Sequence, residues 1–474
     1  MNGTVQETNP SQPNTQGIGN GQVKCPKCGA TDISLNVKTG KLRCNYCRHE
    51  FEAQKVEQQQ DLSQLSGQSM TQGVQNIQAD ASNMITLKCS SCGAEVVIDT
   101  SETLHARCHW CRNTLSVNDQ IPNGAVPDVV LPFHITKEEA EQLIRAFVSK
   151  RKFYAHPIFK KEFTTENIMG VYFPYMIVDV NSHANFKGEG EHLIRRYTIG
   201  DDEHRETYYD ADVYHVEREF DLTIDNLTVE SNKDRLNHQN DQKTNNIINA
   251  IMPFDIENCV KFQANFLKGF TSEKRDVNVD DVRNLVALQS RDIARFAANE
   301  SLKQYDRGVC WQTQDLQIIG QSWQAAYLPV WLYSYQQKKG NKSIIHYVAV
   351  NARTKETMGS IPIYTGKLLL VSFLIEVLCF FAIFYVDFEG EFLMVIPGIA
   401  YYCIMYARYR NKNARHHYEL ETKKEINNLR KVDQFLKRRT GLSNPRIQGQ
   451  NNTSVQGTLA KNDTWNKISQ NLMK

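Results

Sequence analysis

Cysteine spacing is the sharpest chemical signal in this chain. Cys25 and Cys28 are two residues apart, as are Cys44 and Cys47, and fifteen residues separate the pairs. The same frame returns at Cys89, Cys92, Cys108 and Cys111. Two intervening residues let a tight knuckle aim two thiolates at one metal, and about fifteen form a β-hairpin that sets a second knuckle opposite the first. The expected chemistry is tetrahedral S4 binding of zinc (Zn2+), two ions per chain. Four protein ligands fill each sphere, so both sites read as structural. Gly29 and Gly93 follow the second cysteine of each first knuckle, where positive φ is often required. Units this small have little core, and in peptides the metal contributes roughly 10–16 kcal/mol of folding free energy.

Competing readings fit less well. A redox pair needs one C-x-x-C near a βαβ unit, not two matched quartets. Disulfides suit exported chains, whereas Met1–Gly21 is polar and lacks a basic segment followed by an apolar run, so it reads as a disordered lead. His49, His105 and His109 lie near the ligands but read as surface residues, because each quartet is already complete. Tyr46 and Trp110 occupy the same place in the two closing knuckles. Each either packs on its own ribbon or stacks on a base or a partner protein. Six Lys/Arg and three Asp/Glu lie between Val23 and Glu52, and three of each between Leu87 and Asn118. A Zn(Cys)4 centre adds about −2, so the cations for neutralising phosphates are few and protein contact is the stronger expectation.

The elements around the quartets set their context. The 474 residues carry a net charge of +2, 41% hydrophobic and 23% charged side chains, which suggests several folded units and no whole-molecule field. Gln54–Asn83 reads as a flexible tether that lets the ribbons move independently. From Pro127 to about Pro362 the pattern predicts an α+β domain. Helices are expected over Lys137–Lys152 and Val279–Tyr305, and strands over Val171–Val180, Gln314–Gln321, Ala326–Tyr335, Ile344–Val350 and Thr357–Ile363. A faint repeat relates Pro132-Phe133-His134-Ile135 to Pro253-Phe254-Asp255-Ile256, and Tyr172-Phe173-Pro174-Tyr175 to Tyr327-Leu328-Pro329-Val330-Trp331, which points to a duplicated unit. No phosphate-binding, dinucleotide, H-E-x-x-H or G-x-S-x-G motif is present, so no catalytic residues are expected and the chain reads as a non-enzyme. His183, His192, His204 and His215 read as polar hairpin residues, with a further metal site as the alternative. Cys259 and Cys310 read as small buried residues.

Leu368–Val386 is an apolar run broken only by Ser372 and Glu376, and Phe392–Ala407 is a second. Together they predict a two-helix transmembrane hairpin. Lys367, Arg408, Arg410, Lys412 and Arg415 flank the runs, and Asp387, Glu389 and Glu391 occupy the loop. The positive-inside rule then gives a multi-pass cell-membrane protein with both termini and the ribbons cytoplasmic. Glu376 reads as an intramembrane assembly contact. Arg408, Arg410, Lys412 and Arg415 read as lipid-facing. Arg408–Arg439 holds eleven Lys/Arg against four Asp/Glu, fitting an amphipathic helix on anionic lipid, with a solvated stalk as the alternative.

The Cys quartets, Pro132-Phe133, Tyr172-x-Pro174, Pro253-Phe254, Gly269-Phe270 and Tyr327-x-Pro329-x-Trp331 before an apolar hairpin resemble bacterial membrane proteins with TFIIB-type zinc ribbons, the YdjG-like group. The likeness covers most of residues 23–410. It implies a non-enzymatic membrane component near SPFH-domain or phage-shock-like proteins in envelope stress. The fold expected is multidomain α+β: two small β zinc ribbons, a central domain and the hairpin. Its boundaries are a disordered lead (1–22), ribbon one (23–52), a flexible linker (53–86), ribbon two (87–118), a cytosolic α+β domain (125–365), the hairpin (367–409), a basic juxtamembrane helix (410–440) and a disordered tail (441–474). The function expected is a membrane-anchored adaptor that assembles cytosolic or membrane proteins, with self-association a further expectation. The alternative is a membrane-tethered nucleic-acid binder.

Overall fold

A computed structural model of the chain describes residues 24–30, 32–56, 61–74, 84–88, 95–99, 106–110, 114–115, 120–121, 127–199, 206–232, 251–273, 275–339, 342–383, 396–410, 423–431, 439–442 and 446–447. The quartet's fifteen-residue interval forms the hairpin its length requires. Strands β1 (Ile33–Asn36) and β2 (Lys41–Cys44) pair antiparallel, with Ile33 opposite Cys44. Gly40 turns the chain at φ +68°, and β3 (Glu50–Phe51) pairs with β2 to finish a three-stranded sheet. Within the segment read as a tether, β4 (Gly67–Met70) runs along the main sheet. Asn181 also donates to the carbonyls of Ser63 and Leu65.

The body is mostly β and is built on three long strands: β5 (Met169–Ile199), β6 (Glu206–Glu230) and β7 (Val309–Lys339). β5 lies between the other two and pairs antiparallel with both. β8 (Lys342–Asn351) and β9 (Thr357–Gly359) extend the sheet beyond β7. A straight strand of 31 residues would run roughly 100 Å. These strands curl instead, with register breaks at Val178/Val180, Leu193/Arg195, Asn181/Ser182 and Lys187/Gly188, because an extra residue bends and twists its strand. The two proline-marked segments are neighbours: Tyr172 faces Pro329 and Pro174 faces Tyr327.

Two amphipathic helices cover the sheet. α1 (Lys137–Ser149) starts at a capping box, in which Thr136 accepts from the Glu139 N–H and Glu139 accepts from the Thr136 N–H. It buries Ala140, Ile144, Phe147 and Val148. α2 (Val279–Glu300) buries Val282, Val286, Ile293 and Ala294 in a core shared with Val178, Phe186, Phe220 and Trp323. Each such side chain contributes about 1.5–3 kcal/mol. A second core is aromatic. Phe133 stacks on Phe270 at 4.1 Å and meets Tyr172 at 5.0 Å and Trp331 at 5.1 Å edge-on. A Cβ on Gly170 would lie 2.5 Å from the Phe270 ring, so this close approach requires glycine.

The fold therefore departs from the expected multidomain α+β chain with a transmembrane hairpin. Segments read as separate short strands are continuous, since bulges interrupt the alternating pattern without ending the strand. Among the described residues no helix is long and apolar enough to cross a membrane. α3 (Thr365–Ile383) has 19 residues and α4 (Ile396–Arg410) has 15, with Pro397 in its first turn. At 1.5 Å per residue they reach roughly 28 and 22 Å, against about 30 Å of hydrocarbon. The transmembrane and multi-pass reading, and the cell-membrane location derived from it, are corrected accordingly. Instead α3 and α4 pack on each other, and the base of the pair joins the body through buried Leu368 and Tyr409. Leu369, Leu370, Phe373 and Leu378 face outwards. The basic segment differs too: Lys423–Lys431 is a strand paired antiparallel with β6 over Glu219–Asp225, not a helix.

Candidate metal centre

The two knuckles of ribbon one meet. Cys25 Sγ lies 3.5 Å from Cys47 Sγ and Cys28 Sγ lies 3.6 Å from Cys44 Sγ. All four sulfurs fall within 4.8 Å of one another. A tetrahedron with metal–sulfur bonds near 2.3 Å has edges of about 3.8 Å, so this cluster has the right size for a metal ion. Backbone geometry makes the approach. Gly29 N–H returns to the Cys25 carbonyl, Arg48 N–H returns to the Cys44 carbonyl, and Cys47 N–H points at Cys44 Sγ at 3.5 Å. Gly29 has φ +72° and Arg48 φ +60°. The expected positive φ is thus met by glycine in one knuckle and carried by arginine in the other, which sequence gave no reason to suspect.

Electrostatics make the quartet receptive to a cation. Burial pushes the Cys25 thiol up, but hydrogen bonds from Cys28, Lys27 and the neighbouring thiols outweigh it and bring it down to about 7. At Cys28 the Ala30 N–H favours the thiolate, yet burial and the sulfurs of Cys47, Cys25 and Cys44 push it up to about 12. Adjacent sulfurs resist joint ionisation unless a positive ion sits among them.

Ribbon one is seated on the body. Ile33 and Leu42 are fully buried in the core that holds Phe133, Phe266 and Trp331. Asn265 Nδ2 donates to the Ile33 carbonyl at 3.0 Å, and Lys268 pairs with Asp32 at 3.0 Å. Beside this seat a cleft of about 600 Å³ separates the ribbon from the start of α1. Ser34–Lys38, Arg43 and Arg48 line one wall, and Thr136–Glu138 with Trp331 the other. Tyr46, at the tip of the closing knuckle, is 82% exposed.

The second quartet is described only in part. Cys108 is buried, whereas Cys89, Cys92 and Cys111 lie outside the described residues, so one four-cysteine cluster is seen among those described. Two hairpins flank the knuckle positions, Met84–Lys88 with Glu95–Asp99 and Ala106–Arg107 with Thr114–Leu115. The closing knuckle is turned inward. Trp110 Nε1 donates to Glu273 Oε1 at 2.5 Å, and His109 Nε2 lies 2.9 Å from the same oxygen. His109 and Glu273 are buried, and Trp110 meets Tyr347 edge-on at 5.2 Å. His109 is therefore not a surface residue. Glu273 escaped sequence reasoning; its only signal was a lone acid in a short Thr-Ser-Glu strand.

The remaining candidates are scattered. Glu376 Oε2 accepts from the Gly398 N–H at 2.9 Å, a carboxylate on the N-terminal turn of α4. Arg408 lies against Arg151, whose Nε donates to its carbonyl. The Arg410 side chain, Lys412 and Arg415 lie outside the described residues. His183 sits 2.6 Å from Asp221, His192 sits 3.6 Å from Asp306, and His204 is outside the described residues. Cys259 is buried as expected, and burial pushes its thiol far up, but Cys310 is exposed.

Comparison with known proteins adds one relationship. No protein-family model matches the chain, and no solved structure matches it. Along most of its length the chain is similar to the uncharacterized protein YdjG of Bacillus subtilis (strain 168), at 23% identity over 346 residues that cover 73% of this chain and 91% of that protein.

Proposed function

We propose that this chain is a non-enzymatic adaptor in which zinc, bound by Cys25, Cys28, Cys44 and Cys47, holds a ribbon whose closing knuckle engages a partner protein. A second zinc is assigned to Cys89, Cys92, Cys108 and Cys111. The observation that carries this reading is the contrast between matching aromatics. Trp110 is inserted into a protein surface and anchored on Glu273, whereas Tyr46, at the same knuckle position, is 82% exposed. The molecule thus contains an example of this knuckle gripping protein, together with a free copy. Exposed aromatics of this kind are frequent anchors at protein interfaces.

A second reading is favoured by the cleft, where Lys38, Arg43, Arg48 and Lys137 outnumber Glu138. Four cations could neutralise phosphates of a nucleic acid. To separate the two, tagged full-length protein and its Tyr46→Ser variant are purified with and without nuclease, and zinc is measured in both. The adaptor reading expects about two zinc ions per chain and a partner that survives nuclease and is lost with Tyr46→Ser. Partners that vanish with nuclease, together with RNA or DNA bound in a steeply salt-dependent manner, would replace it with the nucleic-acid reading.

A further inference from the structure

The sheet of ribbon one keeps an open strand edge. Cys44 N–H donates to the His49 carbonyl, and Asn45 N–H donates to the Asp32 carbonyl. Backbone groups of an antiparallel strand alternate between its two sides. In β2, Leu42 and Cys44 therefore turn to β3, and Arg43 turns to Ser34 of β1. Ile33 and Leu35 then point their backbone groups away from β2, along the outer edge of β1. The Ile33 carbonyl accepts from Asn265 Nδ2 at 3.0 Å, in keeping with that direction. The N–H and C=O of Leu35 meet no partner among the described residues.

The cleft of about 600 Å³ follows this edge. It touches Ser34 and Asn36 on the face shared with Arg43, and Leu35 on the opposite face. A space that reaches both faces of β1 passes its edge, and the other edge belongs to β2. Lys38, Arg43, Arg48 and Lys137 line it, and no ion pair holds any of the four among the described residues. Two carboxylates oppose them: Glu138 in the lining, and Glu50, which accepts from Asn36 Nδ2 at 2.8 Å and Thr39 Oγ1 at 3.4 Å. Positive charge is thus in excess beside an unfilled backbone donor and acceptor. Asn45, next to Tyr46, lines the same cleft, so a partner gripped by Tyr46 is brought to it.

Building on the adaptor reading, we infer that the β1 edge and its cleft receive an extended segment of a partner protein in which acidic and apolar residues alternate. Such a segment adds a strand to ribbon one, bonded to the Leu35 N–H and C=O. Its side chains point alternately to two faces. Acidic ones meet Arg43 beside Ser34, with Lys38, Arg48 and Lys137 around the same space, and apolar ones meet Leu35 and Trp331. A strand edge presents donor and acceptor at the spacing of another peptide backbone, which a nucleic acid lacks. The assigned Zn(Cys)4 centre also adds about −2 near Arg48, so the cations suit a few carboxylates better than a phosphate chain.

The test titrates the full-length chain into a short labelled peptide of alternating glutamate and valine, read by fluorescence anisotropy. Saturable binding is expected, weakened about tenfold or more by Arg43→Glu and by Lys137→Glu. Lys137→Glu keeps the fold, because an acid in the first turn favours α1. Methylating the peptide's alternate backbone nitrogens, one set at a time, should abolish binding for one set and spare the other, since only one set faces β1. A peptide with its glutamates and valines in separate blocks should bind about tenfold more weakly. No saturable binding, equal effects of the two methylated sets, or tighter binding of a single-stranded oligonucleotide of equal charge would overturn the inference. The adaptor reading is judged separately by the nuclease-resistant partner. Loss of that partner with Tyr46→Ser, while the peptide fails to bind, removes the cleft segment alone. Peptide binding without any such partner keeps the cleft segment and removes the knuckle reading.

Discussion

Stripping the metal from Cys25, Cys28, Cys44 and Cys47 should unfold ribbon one while leaving the body intact. The ribbon sheet has strands of four, four and two residues, far below what holds together alone in water. Seating on the body helps through Ile33 and Leu42, at about 1.5–3 kcal/mol each when fully buried. The Asn265–Ile33 hydrogen bond contributes about 1 kcal/mol. The Lys268–Asp32 pair, with Asp32 largely exposed, contributes little. These contacts sum to roughly 5 kcal/mol, against roughly 10–16 kcal/mol expected from a structural zinc. On the proposed zinc binding, the metal is therefore the larger support. Hydrogen exchange before and after chelation checks this, with metal content measured alongside. Amides of Ile33–Asn36 and Lys41–Cys44 should lose protection, whereas those of β5 from Val171 to Val180 should keep it. Unchanged protection in the strands of ribbon one, with the metal shown to be gone, would refute the reasoning.

Further substitutions probe other parts of the structure. Glu273→Ala removes the shared acceptor of His109 and Trp110 and should cost about 3–5 kcal/mol at a buried network, read as faster tryptic cleavage after Arg107. Gly398→Ala places a Cβ 2.5 Å from Glu376 Oε2 and 2.7 Å from the Ser372 carbonyl. Overpacking and the weakened carboxylate bond should outweigh the gain in helix propensity by about 2 kcal/mol, and Glu376→Ala in that background should add less than it does alone. Asp179 is pushed up to about 6, first by burial and then by Asp225, with the Asn226 N–H opposing. Its folded pKa exceeds the unfolded value, so stability falls as pH rises from about 4 to about 6 and stays reduced above that. Asp179→Asn should flatten this slope and add about 1–2 kcal/mol at pH 8 in denaturant titrations.

The parts of the molecule that were legible in sequence are those fixed by short intervals. Cys25-x2-Cys28 and Cys44-x2-Cys47 specify their own geometry, and Gly29 announces its positive φ, because a knuckle is settled within a few residues. Lys137–Ser149 and Val279–Glu300 were visible because a helix buries one face at a fixed period. The long strands were not, since the bulges near Val180 and Ile319 break the alternation where the expected strands Val171–Val180 and Gln314–Gln321 stop, although the pairing runs on past them. Apolar length misled at α3 and α4. Composition counts residues, whereas the described helices span only Thr365–Ile383 and Ile396–Arg410, and Pro397 suits the first turn of a helix. Glu376 was noticed for its polarity, but its partner is the backbone of Gly398, which no side-chain pattern announces. Arg151 stands in a basic Ser-Lys-Arg-Lys run that looks like a solvated face, and only tertiary packing turns it inward.

The four-cysteine cluster and the cleft beside it are one mechanical unit. The Ser34–Lys38 wall lies on β1 and the turn after it, and Arg43 lies on β2, so these residues hold their places only while the hairpin exists. The facing wall is rigid for a different reason: Thr136 and Glu139 close a capping box, and Trp331 Nε1 donates to the Ile135 carbonyl at 2.8 Å. A metal-free chain would thus retain Lys137, Glu138 and Trp331 while losing the cations opposite them, along with the platform under Tyr46. On the proposed zinc binding, a partner that uses either the knuckle or the cleft would depend on metal, whereas the Trp110 knuckle has Glu273 to hold it as well. Under the proposed adaptor function, this asymmetry would give presentation to ribbon one and attachment to ribbon two.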